Sequence, residues 1–176
     1  MTIRPSEQVP GVLVFEPHVS SDERGWFAEL FQARELRTRG WTGDFVRSAL
    51  SFNQIAGTLR GLHFQRAPYE DAKLVTCVGG ALFDVVADIR EDSPAFGRWE
   101  AFELSAENRR GLFIPEGVAH GFQTLTEATT ILYHIGAYYD RDASGGIRWD
   151  DPTLGIDWPT PPTAMSDQDA RWGLLT

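Results

Sequence analysis

The stretch Leu82-Phe83-Asp84-Val85-Val86-Ala87-Asp88-Ile89 alternates cleanly, with Phe83, Val85, Ala87 and Ile89 on one face and Asp84 and Asp88 on the other. A hydrophobic period of two marks a strand with one face in the core. Short runs of similar character, rich in β-branched and aromatic residues and cut by Gly, Pro, Asp or Ser, recur along the chain. They predict strands at 12–15, 26–31, 45–53, 58–65, 72–78, 81–90, 99–104, 111–114, 120–125, 129–137 and 146–149. Helical character is confined to two places. Residues 33–39 form a short amphipathic piece ended by Gly40, and Ser166-Asp167-Gln168-Asp169 resembles a helix start with Ser166 as N-cap and Asp169 in the capping-box position. The proline-rich run 158–163 reads as an extended connector. The pattern predicts an all-β sandwich or barrel, a jelly roll with short peripheral helices, whose open end is a natural ligand pocket.

A length of 176 residues fits one domain over 1–176, and a composition of 42% hydrophobic and 12% aromatic residues is globular. No run approaches the ~20 apolar residues of a membrane span, and no basic segment followed by an apolar one marks a secretory signal, so a cytoplasmic protein is expected. Cys77 is the only cysteine and sits in an apolar strand, where packing explains it better than nucleophilicity. The net charge of −9, without a basic stripe, argues against a nucleic-acid partner. An anionic small ligand is still compatible with it, because a few cations in a cleft set a local positive field. Arg24, Arg47, Arg60 and Lys73 are the candidates.

Candidate chemistry concentrates in Arg60-Gly61-Leu62-His63-Phe64-Gln65, with Lys73 ten residues after His63. Strict alternation places Arg60 and Leu62 on one face and Gly61, His63 and Gln65 on the other. If the strands of His63 and Lys73 are neighbours, the two side chains meet on one face. A base and a cation so placed suit proton abstraction beside a carbonyl, with the cation stabilising the oxyanion. A carboxylate pair for glycoside chemistry is a poorer reading of Asp84 and Asp88, which lie ~13 Å apart along a strand. Asp84 is better read as supporting the site's hydrogen-bond network.

A second motif, Pro115-Glu116-Gly117-Val118-Ala119-His120, resembles a signature of the cupin superfamily of jelly-roll barrels. Metal-binding cupins carry a further pair of histidines one residue apart, and here that place holds His63-Phe64-Gln65. His63 and His120 are then the only secure ligands, fewer than a divalent site needs, which favours a site without metal.

Longer motifs narrow the resemblance. Asp22-Glu23-Arg24-Gly25-Trp26-Phe27-Ala28-Glu29, Leu59 to Gln65, Lys73-Leu74-Val75, Asp88-Ile89-Arg90, Ser93-Pro94, Phe96-Gly97, Tyr133, Tyr138-Tyr139 and Asp151-Pro152 occur in the order found in the dTDP-4-dehydrorhamnose 3,5-epimerase family. The resemblance runs from about Val12 to Asp169. It implies a cupin-type jelly-roll β-barrel, usually a homodimer, that acts on a nucleotide-diphosphate 4-keto-6-deoxy sugar without metal or other cofactor. By that match His63 is the base, Asp169 the carboxylate orienting it, Lys73 the cation on the enolate oxygen and Tyr133 the acid. An imidazole's ordinary pKa of ~6.5 suits a base at neutral pH, and a phenol's ~10 keeps the acid protonated until used. Arg60 and His120 match contacts to the sugar and phosphates, although for His120 a role in packing the barrel wall stands beside that one. Arg24, Phe27 and Glu29 match a segment completing the site, in part across the dimer, and Tyr139 the aromatic that stacks on the nucleobase. The bland alternative for Arg24 is a turn ion pair with Asp22 or Glu23, and His134 and Tyr138 are expected to face away.

Departures fall among the ligand contacts. Arg47-Ser48-Ala49 stands where the family usually has Gln-x-Asn, Ser144 where it has Glu, and Gln168 where it has Lys. A guanidinium in place of an amide is not a conservative change. Three alternatives therefore stand beside the double epimerase. One is a single-centre 3- or 5-epimerase of a GDP-, CDP- or dTDP-linked keto-sugar, and the others are a non-catalytic sugar-nucleotide-binding protein and a metal cupin.

Overall fold

In the computed structural model, which describes residues 1–175, the chain forms two packed antiparallel sheets and a separate hairpin. The six-stranded sheet runs in the order β1 (Thr2–Pro5), β2 (Leu13–Glu16), β10 (Gly111–Ile114), β7 (Lys73–Gly79), β12 (Thr129–Ile135), β5 (Arg47–Asn53). The five-stranded sheet runs β13 (Ser144–Gly146), β6 (Leu59–Gln65), β11 (Val118–Thr124), β8 (Ala81–Asp88), β9 (Trp99–Ser105). β3 (Val19–Asp22) and β4 (Gly25–Ala28) pair only with each other.

Apart from the edge strand β5, both sheets are largely covered on both faces, which is why so many strands read as apolar. Val14, Val75, Leu112 and Ile131 from one sheet and Leu82, Val86, Leu104 and Phe122 from the other fill the space between them. On the far side of the six-stranded sheet, Phe15, Leu74 and Phe113 pack under α1 (Ala33–Thr38), whose Leu36 is fully buried. Across the outer face of the five-stranded sheet, Leu62, Val85 and Ala87 are covered by Ile147, Leu154 and Trp158. The alternation along β8 is therefore real, but its polar side faces inward. Asp84 and Asp88 are both fully buried, and Asp88 is held by the Arg90 guanidinium and the Ser93 hydroxyl at the following turn.

Several expectations need correction. β6 and β7 are not neighbours: the connection 66–72 crosses from one sheet to the other, so His63 and Lys73 face each other across the barrel. The faces along β6 also depart from strict alternation. His120 and Phe122, two apart on β11, pair with His63 and Arg60, three apart on β6. The extra residue turns Arg60 to the same inward side as His63, and Leu62 goes outward. Gly61 makes this possible, with φ of +116° and a Cβ position only 2.6 Å from the Gly121 Cα. The strand expected at 129–137 ends at Ile135, so Tyr138 and Tyr139 lie on a loop, and the strand expected at 26–31 ends at Ala28. The helix expected at 166 is a single 3₁₀ turn, Asp169–Arg171. The Ser166 hydroxyl accepts from the Asp169 N–H as a cap would, and the Asp169 carboxylate accepts from His63 on the barrel strand. No helix among the described residues is long and apolar enough to cross a membrane.

Gly61→Ala is expected to cost about 3 kcal/mol, from a left-handed backbone with a Cβ and a clash against backbone atoms that cannot move aside. Urea unfolding would read it, and a change below about 0.5 kcal/mol would mean that the bulge tolerates a side chain.

Candidate active site

Inward-facing polar groups gather at one end of the barrel, and nearly all have a partner from a different element. His63 on β6 donates from Nε2 to Asp169 Oδ1 at 2.5 Å, joining the five-stranded sheet to the C-terminal 3₁₀ turn. Asp169 is buried, and burial alone would raise its pKa. The His63 ring, the Ser166 hydroxyl and the Trp172 indole outweigh that and hold the carboxyl below its ordinary range. On β11, His120 donates from Nε2 to both oxygens of Asp84, at 2.9 and 3.0 Å. Burial pushes the Asp84 carboxyl up, against the pull of His120.

The opposite wall belongs to the six-stranded sheet. Lys73, Ile135 and Arg47 occupy one inward rung, and Val75, Tyr133 and Ala49 the next. Lys73 is buried with Asp71 at 3.2 Å. The Tyr133 ring meets His120 edge-on at 6.1 Å between centroids. Burial, reinforced by the Asp84 charge, pushes the Tyr133 hydroxyl's pKa well above that of an ordinary phenol, with Arg60 opposing, so it remains protonated. Arg60 donates from Nε to Asn53 Oδ1 at 2.8 Å, and Arg47 from Nε to the Ala137 carbonyl at 2.8 Å. Neither guanidinium makes an ion pair among the described residues, so their terminal nitrogens are open to an anion.

Two clefts meet at His63. One, of about 260 Å³, is bounded by His63, Lys73, Tyr139, Ser144, Gln168 and Trp172. The other, of about 430 Å³, runs past Arg60, His63 and Asp169 to Met165. Of the residues singled out in the sequence, His63, Lys73 and Tyr139 line the first cleft and Arg60, His63 and Asp169 the second, while Tyr133 packs against His120 and Arg47 shares the rung of Lys73 and Ile135. Arg24, Phe27 and Glu29 are not there. They lie on or just after the exposed β3–β4 hairpin, with Arg24 paired to Asp22 at 2.5 Å, as the bland reading had it. His134 faces away and contacts the Ser48 hydroxyl at 2.8 Å.

Three contributors escaped the sequence reading. Gln65, where metal cupins carry a second histidine, is buried and donates to the Tyr69 and Tyr138 carbonyls while accepting from the Asp140 N–H. It fixes the loop that carries Tyr139. Asn53 orients Arg60, and Trp172 touches the Asp169 carboxylate. Each bond links residues of different elements or closes a turn, and no local pattern announces it.

The sequence model of the family described as dTDP-4-dehydrorhamnose 3,5-epimerase matches residues 6–176. The chain belongs to this family. It is an isomerase acting on carbohydrates, built on the cupin-type jelly roll. A dTDP-4-dehydrorhamnose 3,5-epimerase of Salmonella typhimurium is 47% identical over 169 residues, covering 95% of this chain and 92% of its own. Among solved structures, the epimerase of Bacillus anthracis with TDP and PPi bound superposes with a TM-score of 0.92 at 39% identity, covering 99% of this chain and 100% of its own. The Legionella pneumophila enzyme in complex with dTDP-4-keto-L-rhamnose gives 0.91 at 39% identity, over 99% and 93%.

The depressed Asp169 pKa has a sign that can be tested. A carboxyl whose folded pKa lies below its unfolded one adds stability above the unfolded value, ~3.9, and loses it as pH falls through the folded value. The stability difference between wild type and Asp169→Asn should be largest near neutral pH and shrink below about pH 4. Urea unfolding from pH 7 to 3 would measure it, and a difference that does not change with pH would rule out the charged pairing.

Proposed function

We propose that the protein is a cofactor-independent epimerase of dTDP-4-dehydro-6-deoxyglucose, inverting C3 and C5 to give dTDP-4-dehydrorhamnose. The observation that carries this reading is the placement of a carboxylate-oriented imidazole on one barrel wall and a protonated phenol and an amine on the other. Epimerisation needs that two-sided arrangement, because a proton must leave one face of a carbon and return to the opposite face.

His63 Nε2 is occupied by Asp169, so the lone pair for the substrate proton is on Nδ1. As that proton leaves C3 or C5, the C–H electron pair moves through the new C=C bond onto the C4 oxygen, where the Lys73 ammonium stabilises the enolate. Tyr133 then donates its proton to the carbon from the far face as the carbonyl re-forms. Arg47 and Arg60 are assigned to the diphosphate, His120 to the sugar and Tyr139 to stacking on the base. The diphosphate assignment is supported by guanidinium groups that make no ion pair among the described residues, in a chain whose net charge is −9.

The site residues stranded on the hairpin point to a second copy of the chain. Leu50 and Phe52 on the edge strand β5 are 68% and 60% exposed, and Trp26 and Phe27 on the hairpin 56% and 74%. An unpaired strand edge beside exposed large apolar side chains is a surface that proteins normally cover. We therefore place Arg24, Phe27 and Glu29 at the site of a partner protomer in a homodimer.

Incubating the protein with dTDP-4-keto-6-deoxyglucose in D₂O should place deuterium at both C3 and C5 by NMR. Label at one carbon would make it a single-centre epimerase, and no label would sink the dTDP-sugar reading. His63→Ala should abolish exchange, whereas Tyr133→Phe should retain exchange and slow net epimerisation about 10²–10⁴-fold. Unchanged turnover in either variant would remove that residue from the mechanism.

Phe52→Glu should convert the dimer to monomer in light scattering and lower activity with it. A wild-type monomer at micromolar concentration would refute the shared site.

A further inference from the structure

The His63–Asp169 pair is held by a third group that neither the motifs nor the proposed mechanism uses. Trp172 lies three residues after Asp169, and its indole Nε1–H donates to Asp169 Oδ1 at 3.2 Å, the same oxygen that accepts from His63. The indole also stands edge-on to the His63 ring, 6.3 Å between centroids. It occupies space that a neighbouring strand leaves empty. Gly146 on β13 is the cross-strand partner of His63, and a Cβ there would sit 2.4 Å from the indole. The tail carrying Trp172 is tied down just beyond it, at two points. Arg148 N–H donates to the Gly173 carbonyl at 2.9 Å, and Leu175 N–H to the Asp151 carboxylate at 2.7 Å.

We propose that Trp172 is a positioning residue for proton abstraction, its indole N–H fixing the carboxylate that orients His63. The inference rests on the epimerase reading and deepens it. Asp169 sits on a single 3₁₀ turn, and its backbone N–H donates to the Ser166 hydroxyl. The Asp χ2 torsion is intrinsically broad, so each further donor on the carboxylate narrows the range of directions it can hold. With the indole on the same oxygen, Oδ1 is locked toward His63 Nε2, and the ring's Nδ1 keeps a constant direction into the cleft. The bare Cα of Gly146 provides the room that lets the indole reach in beside His63.

The test pairs a kinetic with a spectroscopic readout. Trp172→Phe keeps an aromatic ring and removes the donor, and Gly146→Ala keeps the donor and displaces the ring. Both should lower kcat for the keto-sugar about tenfold with KM within twofold, the loss expected for one hydrogen bond to a charged group. In a ¹⁵N–¹H spectrum, the Trp172 indole cross-peak is one of six and is identified by its absence in Trp172→Phe. It should move upfield in Asp169→Asn and in Gly146→Ala. An indole peak indifferent to Asp169→Asn would overturn the proposal, as would unchanged kcat in Trp172→Phe or a rise in KM alone, which would make the indole only a wall of the ligand cleft. If wild type neither exchanges nor turns over the keto-sugar, the functional reading fails, and the spectra still decide whether the indole holds the carboxylate.

Discussion

A polar group carried into a barrel must find a partner there, because leaving water without one costs several kcal/mol for a charge. That requirement organises the inner end of this protein. His63 is met by Asp169, His120 by Asp84, Lys73 by Asp71 and Arg60 by Asn53, and in each case the partner comes from outside the residue's own strand. The His63–Asp169 and Arg60–Asn53 bonds in addition join elements that share no backbone ladder. At the 3₁₀ turn, the buried Asp169 carboxylate accepts from His63 on β6 and from Trp172.

The pairings also separate the chemical characters of the walls. The five-stranded sheet presents imidazoles backed by carboxylates, while the six-stranded sheet presents an amine and a phenol whose proton is held tightly by burial. Two packed sheets stand about 10 Å apart where their side chains interdigitate, and the cleft of about 260 Å³ that both His63 and Lys73 line opens between the two walls. The bulge at Gly61 adds a cation to the imidazole side by turning Arg60 inward. A regular strand would have sent that guanidinium to the outer face, into the layer of Leu62 and Ile147.

Much of this was legible in the chain itself. Period-two alternation along 82–89 and the recurring short strands specified an all-β protein, because a strand's side-chain period is set by backbone geometry alone. Motif spacing pointed to the family, and with it to His63, Lys73, Tyr133 and Asp169 as a set. Other features were invisible for a definite reason. β1 and β3 are four-residue strands of mixed polarity, and their pairing depends on partners, Leu13–Glu16 and the other half of the hairpin, rather than on any pattern of their own.

The residue types of the site, the β character of the chain and its acidic balance followed from sequence, since each is a local or additive property. Which sheet each strand joins, that His63 and Lys73 face across a barrel instead of lying side by side, that Arg60 turns inward, and that Trp172 reaches Asp169 through the gap at Gly146 were decided by tertiary structure alone. Those outcomes depend on crossover, register and close approach between residues up to a hundred positions apart, and short-range periodicity carries no record of them.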